Sequence, residues 1–120
     1  MGTCIRTFAD EQQIIRCKLN LEEGDQELQT ASKLFSAVGN LSRLKILYLL
    51  KTEGRLCPCD LSDILGISVP GVSQHLKRLR EEGLVQSEQE AQTIFYSLSA
   101  TERPIIGLLL SLTNLKEVVS

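Results

Sequence analysis

A chain of 120 residues with 42% hydrophobic and 23% charged side chains has the make-up of one ordinary globular domain, which excludes a fibre, a disordered tail and two full-sized domains. Its longest apolar run, Pro104 to Leu112, is broken by Gly107 and Ser111 and is too short for a membrane span. The formal charge of −2 argues against a nucleic-acid partner only until it is mapped: residues 41–85 hold seven basic and five acidic groups, while both flanks are acidic.

The opening residues carry no charged-then-apolar leader, since Phe8-Ala9-Asp10-Glu11-Gln12 is largely polar, so a cytosolic chain is expected. The first 24 residues read as a polar arm with a short helix over about 9–19, stopped by Gly24. From Asp25 the pattern Leu28, Ala31, Leu34, Phe35, Val38 predicts a second helix ending at Gly39-Asn40. A third follows from an Asn40 or Ser42 cap, with Leu44, Ile46, Leu47, Leu49 and Leu50 inward and Arg43, Lys45 and Lys51 outward, to Gly54.

Cys57-Pro58-Cys59-Asp60 opens a helix of about two turns that carries Leu61, Ile64 and Leu65 and ends at Gly66. Ser68 caps a longer helix that turns Val72, Leu76 and Leu79 inward and Gln74, His75, Lys77, Arg78 and Arg80 outward, until Glu82-Gly83. The period then falls to two. Leu84-Val85 and Thr93 to Leu98 predict two strands joined by a polar loop at Glu88–Gln92. A last helix over about 102–117 carries Ile105, Ile106, Leu108, Leu109, Leu110, Leu112 and Leu115 on more than one face; a second copy of the chain, or burial within one copy, would cover it. The predicted architecture is mainly α (α+β): a winged helix-turn-helix over 25–120, preceded by an arm over 1–24 that carries Cys4 and Cys17.

In a helix-turn-helix the second helix enters the major groove and its first residues meet base edges. Here these are Ser68, Val69, Gly71, Ser73, Gln74 and His75: small residues permit close approach, and Gln and His match the donor and acceptor code of the groove. Lys77, Arg78 and Arg80 follow where phosphates would lie, and Arg43 on the earlier helix adds a further basic contact. A merely solvated basic face is the alternative, and the preceding short helix and following strand pair favour DNA.

The four cysteines of a cytosolic chain are expected reduced. Cys57 precedes a proline and should be extended, whereas Cys59 lies in the first helical turn; at that junction their sulfurs can converge, which positions i and i+2 of a regular helix cannot do. A helix N-terminus also favours thiolate. The alternative is two small buried apolar groups.

The runs Asn40-Leu41-Ser42-Arg43-Leu44-Lys45-Ile46-Leu47, Leu56-Cys57-Pro58-Cys59-Asp60-Leu61, Ser73-Gln74-His75-Leu76-Lys77-Arg78-Leu79, Glu82-Gly83-Leu84-Val85 and Phe95-Tyr96-Ser97-Leu98 resemble the ArsR/SmtB family of metal-sensing repressors over roughly residues 30–115. The resemblance implies a repressor, homodimeric through its N- and C-terminal helices, that leaves operator DNA when metal binds. Cadmium- and lead-sensing members similar to this chain carry N-terminal cysteines that reach the helix-turn-helix cysteines of the other subunit. This implies Cys57 and Cys59 as first ligands, then Cys17 and Cys4, of which only one is expected to bind because the 12 residues between them are too many for a tight chelate.

Arsenite-sensing relatives place a third cysteine one turn after Cys59, where this chain has Ser62. Residues 102–120 hold neither His nor Cys, so the zinc, nickel or cobalt site of the last helix is not expected. All-sulfur donors favour Hg(II), Cd(II) or Pb(II) over As(III) as effector. The wing departs from the usual basic glycine turn: Glu88-Gln89-Glu90-Ala91-Gln92 should repel phosphate and leave the reading to the helix. Three rivals remain: a cysteine redox or persulfide switch on the same fold, a winged helix that binds protein, and a small thiol enzyme. The last lacks a phosphate-cradling loop and any base beyond His75, so no enzyme is expected.

Overall fold

The computed structural model describes residues 5–100 and the backbone of 103–111, with side chains in that last stretch at 106, 107 and 109–111. Cys4, Leu112, Leu115 and the end of the predicted last helix lie outside the described residues, as do the side chains of Ile105 and Leu108. The chain divides into two units, Met1–Lys33 and Leu34–Ser120, each described by itself.

Helix α1 runs over Glu11–Val38 as one 28-residue helix, not two. Asp10 starts it: its carboxylate accepts from the Gln13 amide at 3.0 Å and its carbonyl from the Ile14 amide at 3.1 Å. The stop expected at Gly24 is absent. Glycine ends a helix by turning left-handed, and Gly24 is not among the glycines with positive φ; in helical conformation it costs only about 1 kcal/mol against alanine. Asp25, accepting from the Gln29 amide side chain at 2.6 Å, braces the turn that follows. Within Met1–Lys33 the helix shows an apolar seam, exposed at Cys17, Leu21 and Leu28: Ile14, Leu21 and Leu28 recur every seven residues, with Cys17, Gly24 and Ala31 three positions on, the a and d spacing of a coiled coil.

In the unit Leu34–Ser120, α2 (Leu41–Glu53) is capped by Asn40, whose side chain accepts from the Arg43 amide at 3.1 Å. The two-residue strand β1 (Arg55–Leu56) leads into α3 (Pro58–Leu65), which ends at Gly66 with φ 71°, a left-handed position suited to glycine. Helix α4 (Val69–Glu81) starts at Ser68, whose Oγ accepts from the Gly71 amide at 3.2 Å. The strands β2 (Val85–Glu90) and β3 (Thr93–Leu98) form the wing, and α5 (Arg103–Ser111) follows.

The sheet is antiparallel, ordered β1-β3-β2, with Arg55 opposite Ser97 and Val85 opposite Leu98. The sequence pattern missed β1, which is too short to show periodicity. It also placed a loop at Glu88–Gln92, whereas Glu88, Gln89 and Glu90 pair with Phe95, Ile94 and Thr93, leaving only Ala91-Gln92 as the turn. Ala91 takes φ 58°, costly for an L-residue. The polar strand is tolerated because its residues face solvent and because Arg55 crosses the sheet: its guanidinium lies 4.0 Å over the Phe95 ring and 2.6 Å from the Glu90 carboxylate.

One apolar cluster holds these elements: Ile46, Leu47 and Leu50 of α2, Leu61 of α3, Val72, Leu76 and Leu79 of α4, Leu84, Val85 and Leu98 beside the wing, and Ile106 and Leu110 of α5. The three inward residues expected of α4 are fully buried. Ile106 and Leu110, one turn apart, give the last helix a partner inside its own subunit. The fold is the predicted winged helix-turn-helix.

Candidate nucleic-acid interface and thiol cleft

The local sequence sets the pose of α4. Leu61, Val72 and Leu76 interlock α3 and α4, and the Ser62 hydroxyl donates to the Ile67 carbonyl at 2.5 Å, tying α3 to the turn before α4. This leaves Ser68, Val69, Ser73, Gln74, Lys77 and Arg80 exposed. His75 and Arg78 are half-buried. Arg78 forms an ion pair with Glu82 one turn on, at 2.7 Å.

Arg43 is also half-buried, and its donors are engaged within the protein. Nε donates to the Ala37 carbonyl at 2.5 Å and Nη2 to the Ser36 carbonyl at 3.3 Å, while Nη1 stands 3.5 Å from His75 Nδ1. Those carbonyls belong to the last turn of α1, where helices leave carbonyls unsatisfied.

Cys57 is extended, at φ −92° and ψ 162°, as its place before proline dictates, and Cys59 is the second residue of α3. Both line one cleft of about 440 Å³ together with Pro58, Val69 and Ser73 of α4, and Gln92, Thr93 and Ile94 of the wing. The thiol pair and the N-terminal end of α4 therefore share one recess. Cys59 is exposed and Cys57 half-buried. Cys17 is exposed on α1, in the other unit. Among the described residues, no three His, Cys, Asp or Glu side chains gather closely enough to hold a metal ion. The wing residues Gln92, Thr93 and Ile94 escaped the sequence reading, because nothing local marks a strand tip as the wall of a cleft built on another element.

The family model described as bacterial regulatory protein, arsR family, matches residues 41–87, from the first residue of α2 into β2. The cadmium resistance transcriptional regulatory protein CadC of Listeria innocua is 31% identical over 116 residues, covering 97% of this chain and 94% of that protein. The chain belongs to the ArsR family of bacterial regulatory proteins. Its relatives in the family are named as transcriptional regulators rather than enzymes. The transcriptional activator HlyU of Vibrio cholerae is 43% identical over 84 residues, 70% of this chain and 77% of that protein. A solved structure of reduced HlyU has a TM-score of 0.67 at 42% identity, over 77% of this chain and 97% of that one. A homodimeric winged helix-turn-helix DNA-binding domain from Mycobacterium bovis reaches a TM-score of 0.70 over 92% of this chain and 91% of that one; at 19% identity it bears on the fold alone. Among the described residues no helix is long and apolar enough to cross a membrane.

Proposed function

We propose that this ArsR-family chain is a homodimeric repressor that binds operator DNA through α4 and releases it when Cys57 and Cys59 take up a soft, thiophilic cation: Cd(II), Pb(II) or Hg(II). The observation that carries the reading is the shared recess: both sulfur-bearing residues border Val69 and Ser73 at the N-terminal end of α4. The donor set suits soft ions, since it offers sulfur without histidine or carboxylate. Two thiolates can satisfy a linear Hg(II) but leave Cd(II) or Pb(II) short of donors, which is the reason to assign the remainder to Cys17 or Cys4 of a second copy. The likeness to CadC, a cadmium resistance regulator, supports the same assignment.

In this reading Ser68, Val69, Ser73, Gln74 and His75 face base edges, and Lys77 and Arg78 face phosphates, while Arg43 positions α4 from behind. Cysteines of two chains joined at one ion hold one dimer geometry. If that geometry moves the two α4 helices off their half-site spacing, DNA affinity falls by the factor that metal affinity gains, typically about 5- to 150-fold. A mobility-shift titration tests it: Cd(II) should release the wild type from the operator and leave a Cys57→Ser, Cys59→Ser variant bound. Equal operator affinity with and without metal overturns the proposal.

A second reading has one observation in its favour, the 43% identity to HlyU, a protein also solved in a form named as reduced. The same cysteine pair would pass two electrons and two protons to a peroxide, giving a disulfide and two waters. Intact mass after peroxide, set beside thiolate-to-metal absorption on Cd(II) addition, separates the two readings.

A further inference from the structure

We propose that Arg55 is a further DNA-backbone contact of this chain, and that the Glu90 carboxylate occupies the place on its guanidinium that a phosphate takes when DNA binds. The inference rests on the reading of α4 as the DNA-binding helix and adds a residue from outside that helix to it. The strand register leads. Arg55 stands opposite Ser97 and Glu90 opposite Thr93, and alternate residues of a strand share a face, so Arg55, Phe95 and Glu90 lie on one side of the sheet. The other side carries Val85 and Leu98 into the core, which leaves the Arg55 side turned to solvent. From its place beside Ser97 the Arg55 side chain runs along β3 toward the hairpin turn. Its guanidinium covers the Phe95 ring at 4.0 Å and meets the Glu90 carboxylate at 2.6 Å.

The pair is built to change partners. The Arg55 and Glu90 side chains are 49% and 60% exposed, and an exposed ion pair contributes little in water. Phe95 holds the guanidinium by one face and leaves its donor-bearing edge free for a planar acceptor; a phosphate offers that edge two oxygens as a carboxylate does. The position suits DNA as well. Gln92, Thr93 and Ile94 at the hairpin turn line one recess with Val69 and Ser73, so a duplex laid against the N-terminal end of α4 passes close to the turn at which Glu90 ends β2. Residues 84–98 hold no Lys or Arg, so the wing takes its cation from β1. A duplex presents one charge about every 1.7 Å, against which a single carboxylate is a weak competitor. Glu90 therefore sets a cost on the phosphate contact of Arg55, and the cost is the same for every sequence, because phosphates carry none.

The experiment measures binding of the full-length chain to operator and random-sequence duplexes by fluorescence anisotropy across a range of salt, for the wild type, Glu90→Gln, Glu88→Gln, Arg55→Gln and the Arg55→Gln, Glu90→Gln pair. Glu90→Gln should tighten both duplexes about 3- to 10-fold at low salt, since no carboxylate has to be displaced. Arg55→Gln should weaken both and reduce the slope of log affinity against log salt by about one. In that background Glu90→Gln should bring little gain. Glu88→Gln removes the same charge without freeing Arg55 and should gain less than Glu90→Gln. Equal gains from the two glutamate variants, or a Glu90→Gln gain that survives Arg55→Gln, reduce the effect to plain repulsion and overturn the exchange. A Glu90→Gln variant with a lower urea midpoint and unchanged DNA affinity makes the pair a brace of the wing and overturns it too. Wild-type binding that does not respond to Glu90→Gln sinks the exchange alone, whereas failure of both proteins to bind either duplex sinks the reading of α4 and this inference with it.

Discussion

The Nη1 of Arg43 stands 3.5 Å from Nδ1 of His75, across 32 residues of sequence. A guanidinium only donates, so this contact is a hydrogen bond when Nδ1 is bare and the imidazole proton resides on Nε2. The tautomer that fits this contact leaves the donor on the ring nitrogen turned away from Arg43. The same guanidinium holds the carbonyls of Ser36 and Ala37 at the end of α1. One side chain thus couples the α1 terminus, the start of α2 and the middle of α4.

Arg43→Ala should lower unfolding stability by about 1.5–3 kcal/mol, the range for hydrogen bonds to a charged group, read as a fall in the urea midpoint. Arg43→Lys should recover little of it, because an ammonium cannot reproduce the planar fork that reaches two carbonyls and an imidazole. The slope of operator affinity against salt should hardly change in either variant. A slope smaller by about one would instead make Arg43 a phosphate ligand.

If α4 reads DNA as proposed, its exposed face should separate affinity from specificity. Lys77→Ala should weaken operator and random DNA alike and reduce the salt slope by about one. Gln74→Ala should cost about 1–3 kcal/mol on the operator and little on random DNA, as loss of a base-edge contact does. Fluorescence anisotropy against both duplexes at several salt concentrations reads the two effects. Arg78→Ala adds a loss of helix stability, since its ion pair with Glu82 at 2.7 Å goes too.

What the sequence made legible divides along physical lines. The helices from Asn40 to Glu81 and their caps were readable because each boundary carries its own local chemistry: Asn40, Ser68, the prolines in opening turns and the left-handed Gly66. The extended-to-helix junction at Cys57 was readable because Pro58 restricts the residue before it. Gly24 misled because a glycine marks a stop only when its neighbours supply the left-handed turn. The strand β1 and the long β2 were missed because pairing with β3, not propensity, makes them strands. The cleft is tertiary in the same sense: it takes walls from α3, α4 and the wing tip, which lie far apart in sequence. The cross-sheet grip of Arg55 on Glu90 likewise tempers the acidic wing, since one of its two carboxylates is met by a guanidinium.

The seam along α1 makes a prediction about assembly. Leu21 and Leu28 are 61% and 55% exposed, so replacing them removes nothing from the core. In Leu21→Glu, Leu28→Glu the seam would bring like charges together, and sedimentation equilibrium should show monomers at concentrations where the wild type is a dimer. Operator affinity should then fall by about 10²- to 10⁴-fold, the gain that a tethered second half-site provides. Thermal unfolding of the 34–120 unit should be little altered. Retention of the dimer would mean that the α1 seam is not what joins the copies.

The last prediction concerns the position of Cys59 relative to bound DNA. Cys59 is exposed, and it borders the cleft with Val69 in the first turn of α4 and Ser73 just after it. If that turn enters the major groove, DNA roofs the cleft and the thiol loses access to solvent. In a Cys4→Ser, Cys17→Ser background, saturating operator should slow iodoacetamide alkylation of Cys59 on the order of tenfold, a ratio that reports the bound fraction while binding is fast. Cys57, half-buried already, should react more slowly than Cys59 in free protein. Raising the salt until the complex dissociates should restore the free rate, because phosphate contacts supply most of the affinity. Alkylation of Cys59 at an unchanged rate on the intact complex would place the cleft away from the DNA, and with it any direct route from the thiols to the reading helix.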